Sequence, residues 1–195
     1  VPLAGASSAW KGIFDFYPAD YNGDGLTDLF LVGDSNSYMC LGPGISSQNN
    51  CAPLGNGPTP WRTLYQVAIG DFNGDGPTDV MLAGTSDTYF CAGPVISNQN
   101  NCTALTNGPA PWKNLYDLRP GDYNGDGVTD LFLVGDQAGS HFCRGPGISL
   151  ANNCVPTGAL YWKSSYQILG GDYNGDGSSD LYLVSDVSTP QHYFA

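Results

Sequence analysis

The chain has no glutamate: all 18 acidic residues are aspartate, set against 6 lysines and arginines and 2 histidines in 195 residues. That scarcity of positive charge leaves no basic track for a phosphate backbone. The formal net charge of -12 would repel one, so nucleic acid is excluded as a partner. Apolar runs such as "DLFLVG" and "DVMLAG" fall far short of a bilayer-spanning helix, and no membrane span is expected. The opening residues "VPLAGASSAW" lack the charged and apolar regions of a signal peptide, so the expectation is a mature, soluble chain. Enzyme signatures are missing too. No Gly-x-Ser-x-Gly, Walker or Rossmann pattern occurs. His141 and His192 occupy places where Tyr38 and Tyr89 stand elsewhere, which favours structure over catalysis. The protein is expected not to be an enzyme.

What the chain does have is one loop written four times. "DYNGDGLTD" at 20–28 returns as "DFNGDGPTD", "DYNGDGVTD" and "DYNGDGSSD", and these copies hold 12 of the 18 aspartates. Asp20, Asn22, Asp24 and Asp28 offer side-chain oxygens at spaced positions, Leu26 offers a carbonyl, and glycine permits the tight curve between them. The same places are filled by Asp71, Asn73, Asp75, Pro77 and Asp79, and by Asp122, Asn124, Asp126, Val128 and Asp130. In the last copy they are Asp172, Asn174, Asp176, Ser178 and Asp180. Carboxylates crowded in this way repel one another unless a cation joins them. Several carboxylates with a carbonyl suit the flexible oxygen cage of calcium better than the strict octahedron of magnesium. About four structural calcium ions are expected, one per loop. The loop is not an EF-hand, because its twelfth position is Leu31, Leu82, Leu133 or Leu183 where that motif needs a bidentate Glu.

The repetition extends beyond the loop. Trp10, Trp61, Trp112 and Trp162, like the loop-opening aspartates, recur at intervals of 51, 51 and 50 residues, a period typical of propellers and other arrays. Within one unit, "TLYQVAIG" predicts a strand before the acidic loop. "VMLAG" and "TYFCAG" predict a hairpin around "TSD", and "CTALTNG" a fourth strand. No stretch of useful length has helical periodicity. The fold class is therefore all-β, a β-propeller of four repeats with four antiparallel strands each, forming a single domain over 1–195. The units run roughly 6–56, 57–107, 108–158 and 159–195, the last completed by residues 1–5 as a closing strand. Two alternatives stay open: a simple boundary in a loop, or a strand donated to a neighbouring molecule.

Six cysteines fall in three pairs carried by the repeat, Cys40 with Cys51, Cys91 with Cys102 and Cys143 with Cys154. Repetition argues for three local bridges, and disulfides imply an oxidising, extracellular compartment, secreted or at the cell surface. The loops between them, such as "LGPGISSQNN", are rich in amides able to bond sugar hydroxyls or protein backbone; they are equally suited to be pinned connectors. Asn101-Cys102-Thr103 is a formal glycosylation sequon. Each repeated Trp precedes a cation, at Lys11, Arg62, Lys113 and Lys163. Exposed, these tryptophans could stack on sugar rings; buried, they would pack one unit on the next, the reading that large aromatics favour.

The pattern Asp-x-Asn-x-Asp-Gly-x-x-Asp, entered through "GD" and followed by "LFLV" or "VMLA", resembles the FG-GAP or VCBS repeats of integrin-α-type propellers in all four units. The resemblance implies a propeller with one calcium between the first two strands of each blade, on the residues named above. It also points to propeller lectins and extracellular repeat proteins. This chain departs from that pattern in having fewer and shorter units and in adding a disulfide to three of them. The function implied is a secreted, calcium-stabilised binding or adhesion module for extracellular carbohydrate or protein, with a lectin-like role among those the resemblance implies. The other reading is a structural subunit that self-assembles into a homo-oligomer, an extracellular filament or a surface fibre.

Overall fold

The structure is a computed structural model, described for residues 10–45, 51–55, 59–94, 96, 102–105, 111–148 and 153–185. Three antiparallel sheets of four strands each follow one another in chain order. The first is formed by β1 (Phe14–Ala19), β2 (Asp28–Gly33), β3 (Tyr38–Cys40) and β4 (Cys51–Pro53). The second comprises β5 (Gln66–Gly70), β6 (Asp79–Ala83), β7 (Thr88–Cys91) and β8 (Cys102–Ala104). The third comprises β9 (Tyr116–Gly121), β10 (Asp130–Gly135), β11 (His141–Cys143) and β12 (Cys154–Pro156). A fourth pairs β13 (Tyr166–Gly171) with β14 (Asp180–Ser185) as two strands among the described residues. Each sheet is a meander whose neighbours in space are neighbours in sequence. The proposed closing strand at residues 1–5 and the end of the fourth unit lie outside the described residues, and no closed ring of sheets is present among those described.

The second strand of each unit is the core strand, and its alternation assigns successive side chains to opposite neighbours. Phe30 and Val32 of β2 pack with Val80 and Leu82 of β6 between the first and second sheets. Met81 and Ala83, the other face of β6, pack with Leu131 and Leu133 of β10 between the second and third. Phe132 and Val134 then meet Leu181 and Leu183 of β14. The near-continuous apolar run "DLFLV" thus records burial on both faces.

One sequence expectation needs correction. "TLYQVAIG" does not begin as a strand: Trp61–Leu64 form one helical turn, α2, and the strand starts only at Gln66. Leu64 and Tyr65 N–H groups donate to the Pro60 and Trp61 carbonyls at 3.1 and 2.8 Å. The same turn recurs as α1 (Trp10–Ile13), α3 (Trp112–Leu115) and α4 (Trp162–Ser165). Four residues are too few to produce a helical period, so patterning could not register them. The turn tucks its Trp into the gap between sheets, and Trp61 and Trp112 are wholly buried. At roughly 200 Å² of mostly apolar surface, each contributes on the order of 5 kcal/mol.

The three bridges form as expected, Cys40–Cys51, Cys91–Cys102 and Cys143–Cys154. Each joins residues directly opposite in the register of the third and fourth strands. The short outer strands are fastened where a three-residue ladder alone would fray.

Candidate functional site

The two ends of the sheets carry different chemistry. At one end lie the acidic loops, each between the first and second strands. Asp20 accepts N–H bonds from Gly23 at 2.7 Å, Asp24 at 3.2 Å and Gly25 at 2.8 Å, curling the loop around its carboxylate. Gly23 and Gly25 sit at φ +78° and +81°, where a side chain would be strained. Asp71 and Asp122 repeat all three bonds, and Asp172 repeats the two from Gly175 and Gly177. The expected mutual repulsion of the carboxylates is therefore countered by loop N–H groups.

The ninth-position aspartates behave differently from the rest. Asp28, Asp79, Asp130 and Asp180 are buried. Asp28 clasps two chain segments, accepting from Tyr21 N at 3.0 Å and from Gly42 N, beyond β3, at 2.8 Å. Asp79 does so with Phe72 and Gly93, and Asp130 with Tyr123 and Gly145. Burial pushes the Asp79 carboxyl up to about 6, although the Gly93 and Phe72 N–H bonds oppose the rise. Asp130 is raised by burial in the same way.

Each loop offers three carboxylates, one amide and one backbone carbonyl, an all-oxygen set on a glycine turn that fits a hard cation by donor chemistry. Among the described residues, no three acidic, histidine or cysteine groups converge closely enough to hold an ion. Asp20, Asn22, Asp24, Leu26 and Asp28 are brought onto one loop, as are their three sets of counterparts, but they are spaced by internal hydrogen bonds. The second loop lacks one bond the others share: Pro77 has no N–H to give Asp75, whereas Leu26, Val128 and Ser178 donate to Asp24, Asp126 and Asp176 at 2.8 to 2.9 Å.

The Trp-cation steps lie at the opposite end and serve packing. Buried Trp61 and Trp112 offer no face to a ligand, while Trp10 and Trp162 are partly exposed. The cations reach back to the preceding unit. Arg62 pairs with Asp15 and Asp34, both at 3.2 Å, and donates to the Gly12 carbonyl. Lys113 donates to the Thr63 carbonyl, and Lys163 contacts the Asn114 carbonyl and Asp117. His141 pairs with Leu133, as Tyr38 pairs with Leu31 and Tyr89 with Leu82, and its ring meets Tyr116 edge-on. Its expected place in the fold is the one it occupies. His192, Asn101 and half of the residues between the paired cysteines lie outside the described residues.

Sequence reading missed a cavity at this second end. It has a volume of about 160 Å³ and is lined by Leu64, Tyr65, Gly84, Thr85, Ser86, Asp87 and Tyr89. The Tyr65 and Tyr89 rings meet edge to face at 6.1 Å. Burial, with Tyr89 and the Asp87 carboxylate alongside, raises the Tyr65 hydroxyl, which stays protonated at neutral pH. The repeat differs beside this cavity. In the first unit Asp34 occupies the position of Thr85 and latches onto Arg62 and Thr63 of the next helical turn, at 3.2 and 3.0 Å. In the third unit Asp136 latches onto Ser164 N and Oγ at 2.8 and 3.0 Å. The second unit has Thr there, and its aspartate stands two residues later. Among the described residues, no hydrogen bond or ion pair engages the Asp87 carboxylate. The only sequence signal was that displacement, "GTSD" against "GDSN" and "GDQA".

Comparison with known proteins agrees with this architecture. Residues 20–82 match the model of the FG-GAP-like repeat, and the repeating sheets carry the same loop pattern through the later units. The fold is similar to that of an Agrocybe aegerita lectin described as specifically recognising non-reducing terminal N-acetylglucosamine, with a TM-score of 0.63 and 18% identity. That match covers 88% of this chain and 47% of the lectin chain. A mutant Tc holotoxin pore of Photorhabdus luminescens is also similar, with a TM-score of 0.59 and 18% identity over 92% of this chain and 9% of that one. The chain thus spans about half of the lectin and a small part of the toxin chain. No curated protein matches its sequence.

Proposed function

We propose that this protein is a secreted, non-enzymatic, calcium-stabilised propeller module that binds extracellular carbohydrate at the cavity of its second unit. The observation that carries the reading is the cavity itself: two tyrosine rings, two hydroxyls and an unengaged carboxylate on one rim. A sugar ring presents C–H groups that pack on aromatic faces and hydroxyls that donate to a carboxylate. Tyr65 and Tyr89 supply the faces, Asp87 the acceptor, and Thr85 and Ser86 adaptable hydroxyls. The lectin-like fold supports the ligand class, and three disulfides fit an oxidising compartment. Among the described residues, no helix is long and apolar enough to cross a membrane.

Calcium is assigned to the four acidic loops, where it would supply a central positive charge that joins carboxylates otherwise held apart by backbone N–H groups and asparagine amides. Asp20, Asn22, Asp24 and Asp28 and their counterparts would hold it. Its role is structural. A glycan array, followed by titration calorimetry with N-acetylglucosamine-terminated oligosaccharide as the first probe, tests the binding reading. Sugar-competable binding that Asp87→Ala or Tyr89→Ala abolishes is expected; an array without signal above background would remove it.

A further inference from the structure

The cavity of the second unit sets a negative charge where the first and third units carry none. A Cβ added at Gly33, Gly84 or Gly135 would meet the backbone oxygen of Asn36, Asp87 or Gly139, so these three residues hold the same place in their turns. Asn36 is neutral and Gly139 has no side chain. The carboxylate of Asp87 is therefore particular to the second unit.

That charge is not answered from within the chain. The sequence has six lysines and arginines, all of them described, and none pairs with Asp87. Arg62 is held by Asp15 and Asp34, Arg119 by Asp117 and the Ile168 carbonyl, and Lys163 by Asp117. Arg144 lies over the Phe142 ring, and Lys11 belongs to the helical turn that opens the first unit. Lys113 is tied to the cavity wall, because its backbone N–H donates to the Gly84 carbonyl at 3.1 Å. Its ammonium, however, donates to the Thr63 carbonyl.

The walls beside the carboxylate suit a cation. Tyr65 and Tyr89 stand at 90° to each other with ring centroids 6.1 Å apart, forming two sides of a corner. An aromatic face attracts an ammonium group within about 6 Å, and attracts it more strongly where water is excluded. Asp87 lies close enough to Tyr65 that its charge adds to the effect of burial and of Tyr89 on the phenol. A neutral amide in the same corner would gain neither the cation–ring attraction nor a countercharge.

We propose that this cavity selects sugars bearing a protonated amine, a glucosamine unit in preference to its neutral N-acetylated form, with Asp87 and the tyrosine faces receiving the ammonium. This selection rests on the cavity being a sugar site and goes further by assigning Asp87 to the amine. Thr85 and Ser86 remain for the ring hydroxyls.

Titration calorimetry of the full chain with calcium tests it at about pH 6, between the ordinary ranges of carboxylates and amines. The probes are a glucosamine disaccharide with one free amine and the same disaccharide fully N-acetylated, which differ by one charge. The amine form should bind about tenfold more tightly, one per chain, and the preference should shrink as salt is raised. Asp87→Asn, which places the first unit's residue in the second, should bring the ratio to about one. Attraction to the net charge of -12 at large would instead leave the preference intact in Asp87→Asn. Where that variant binds neither probe, the stoichiometry and salt response of the unaltered protein decide. Equal or weaker binding of the amine form, or a preference that survives Asp87→Asn, would overturn amine selection while binding of the N-acetylated probe left the sugar site standing. Ethylamine bound as tightly as the amine disaccharide would also overturn it, since the ammonium alone would then be recognised. Binding of neither disaccharide would remove the sugar site and amine selection together.

Discussion

The loop end and the turn end of the sheets are built from the same repeats, yet one is copied and the other varies. At the loop end, Asp20, Asp71, Asp122 and Asp172 accept the same glycine N–H groups at nearly the same distances, and the ninth-position aspartates clasp the same segments. At the turn end, Asp34 and Asp136 latch onto the following unit while Thr85 leaves its place open. Uniformity is what a stacked array requires wherever every interface must be equivalent. Variation at the turn end is tolerated because the latch is a surface contact.

The largest expected effect concerns the uniform end. If the four loops hold calcium as proposed, removing it with excess EDTA should lower the melting temperature by well over about 10 °C, since four such sites would each add roughly 2.7 kcal/mol at a hundredfold excess over the dissociation constant. An unchanged thermal scan would show that the loop N–H bonds alone hold that end. Next comes Asp28→Ala, which strands the buried Tyr21 and Gly42 N–H groups and should cost about 3 kcal/mol in chemical denaturation. A cost below about 1 kcal/mol would mean that water replaces the clasp. Replacing Cys91 and Cys102 together by Ser should cost about 2 to 3 kcal/mol, read as a shift in the denaturation midpoint. At the variable end, Asp34→Ala should cost no more than about 1 kcal/mol, because its partners are exposed. A larger loss would make the latch a structural element and weaken the contrast between the two ends.

Much of the uniform end was legible in the sequence because its information is local. The loop spacing, the "LFLV" core strand and the cysteine pairs each lie within one unit, and their register follows from the turn lengths. The helical turns at Trp10, Trp61, Trp112 and Trp162 were not legible, because four residues carry no period and the burial of Trp depends on a neighbouring sheet. The cavity was hidden for a related reason. Tyr65, Asp87 and Tyr89 are ordinary residues in sequence, and what singles them out is a latch present in two other units and missing between the second and third.

The account rests on a division of labour between the two ends, and one substitution tests it directly. Thr85→Asp restores the latching residue of the first and third units to the second without touching any acidic loop. Titration calorimetry with the N-acetylglucosamine-terminated probe should then show binding lost, while calcium stoichiometry and melting temperature match those of the unaltered protein. Sugar binding that persists in Thr85→Asp, or that falls only together with calcium binding, would contradict the account.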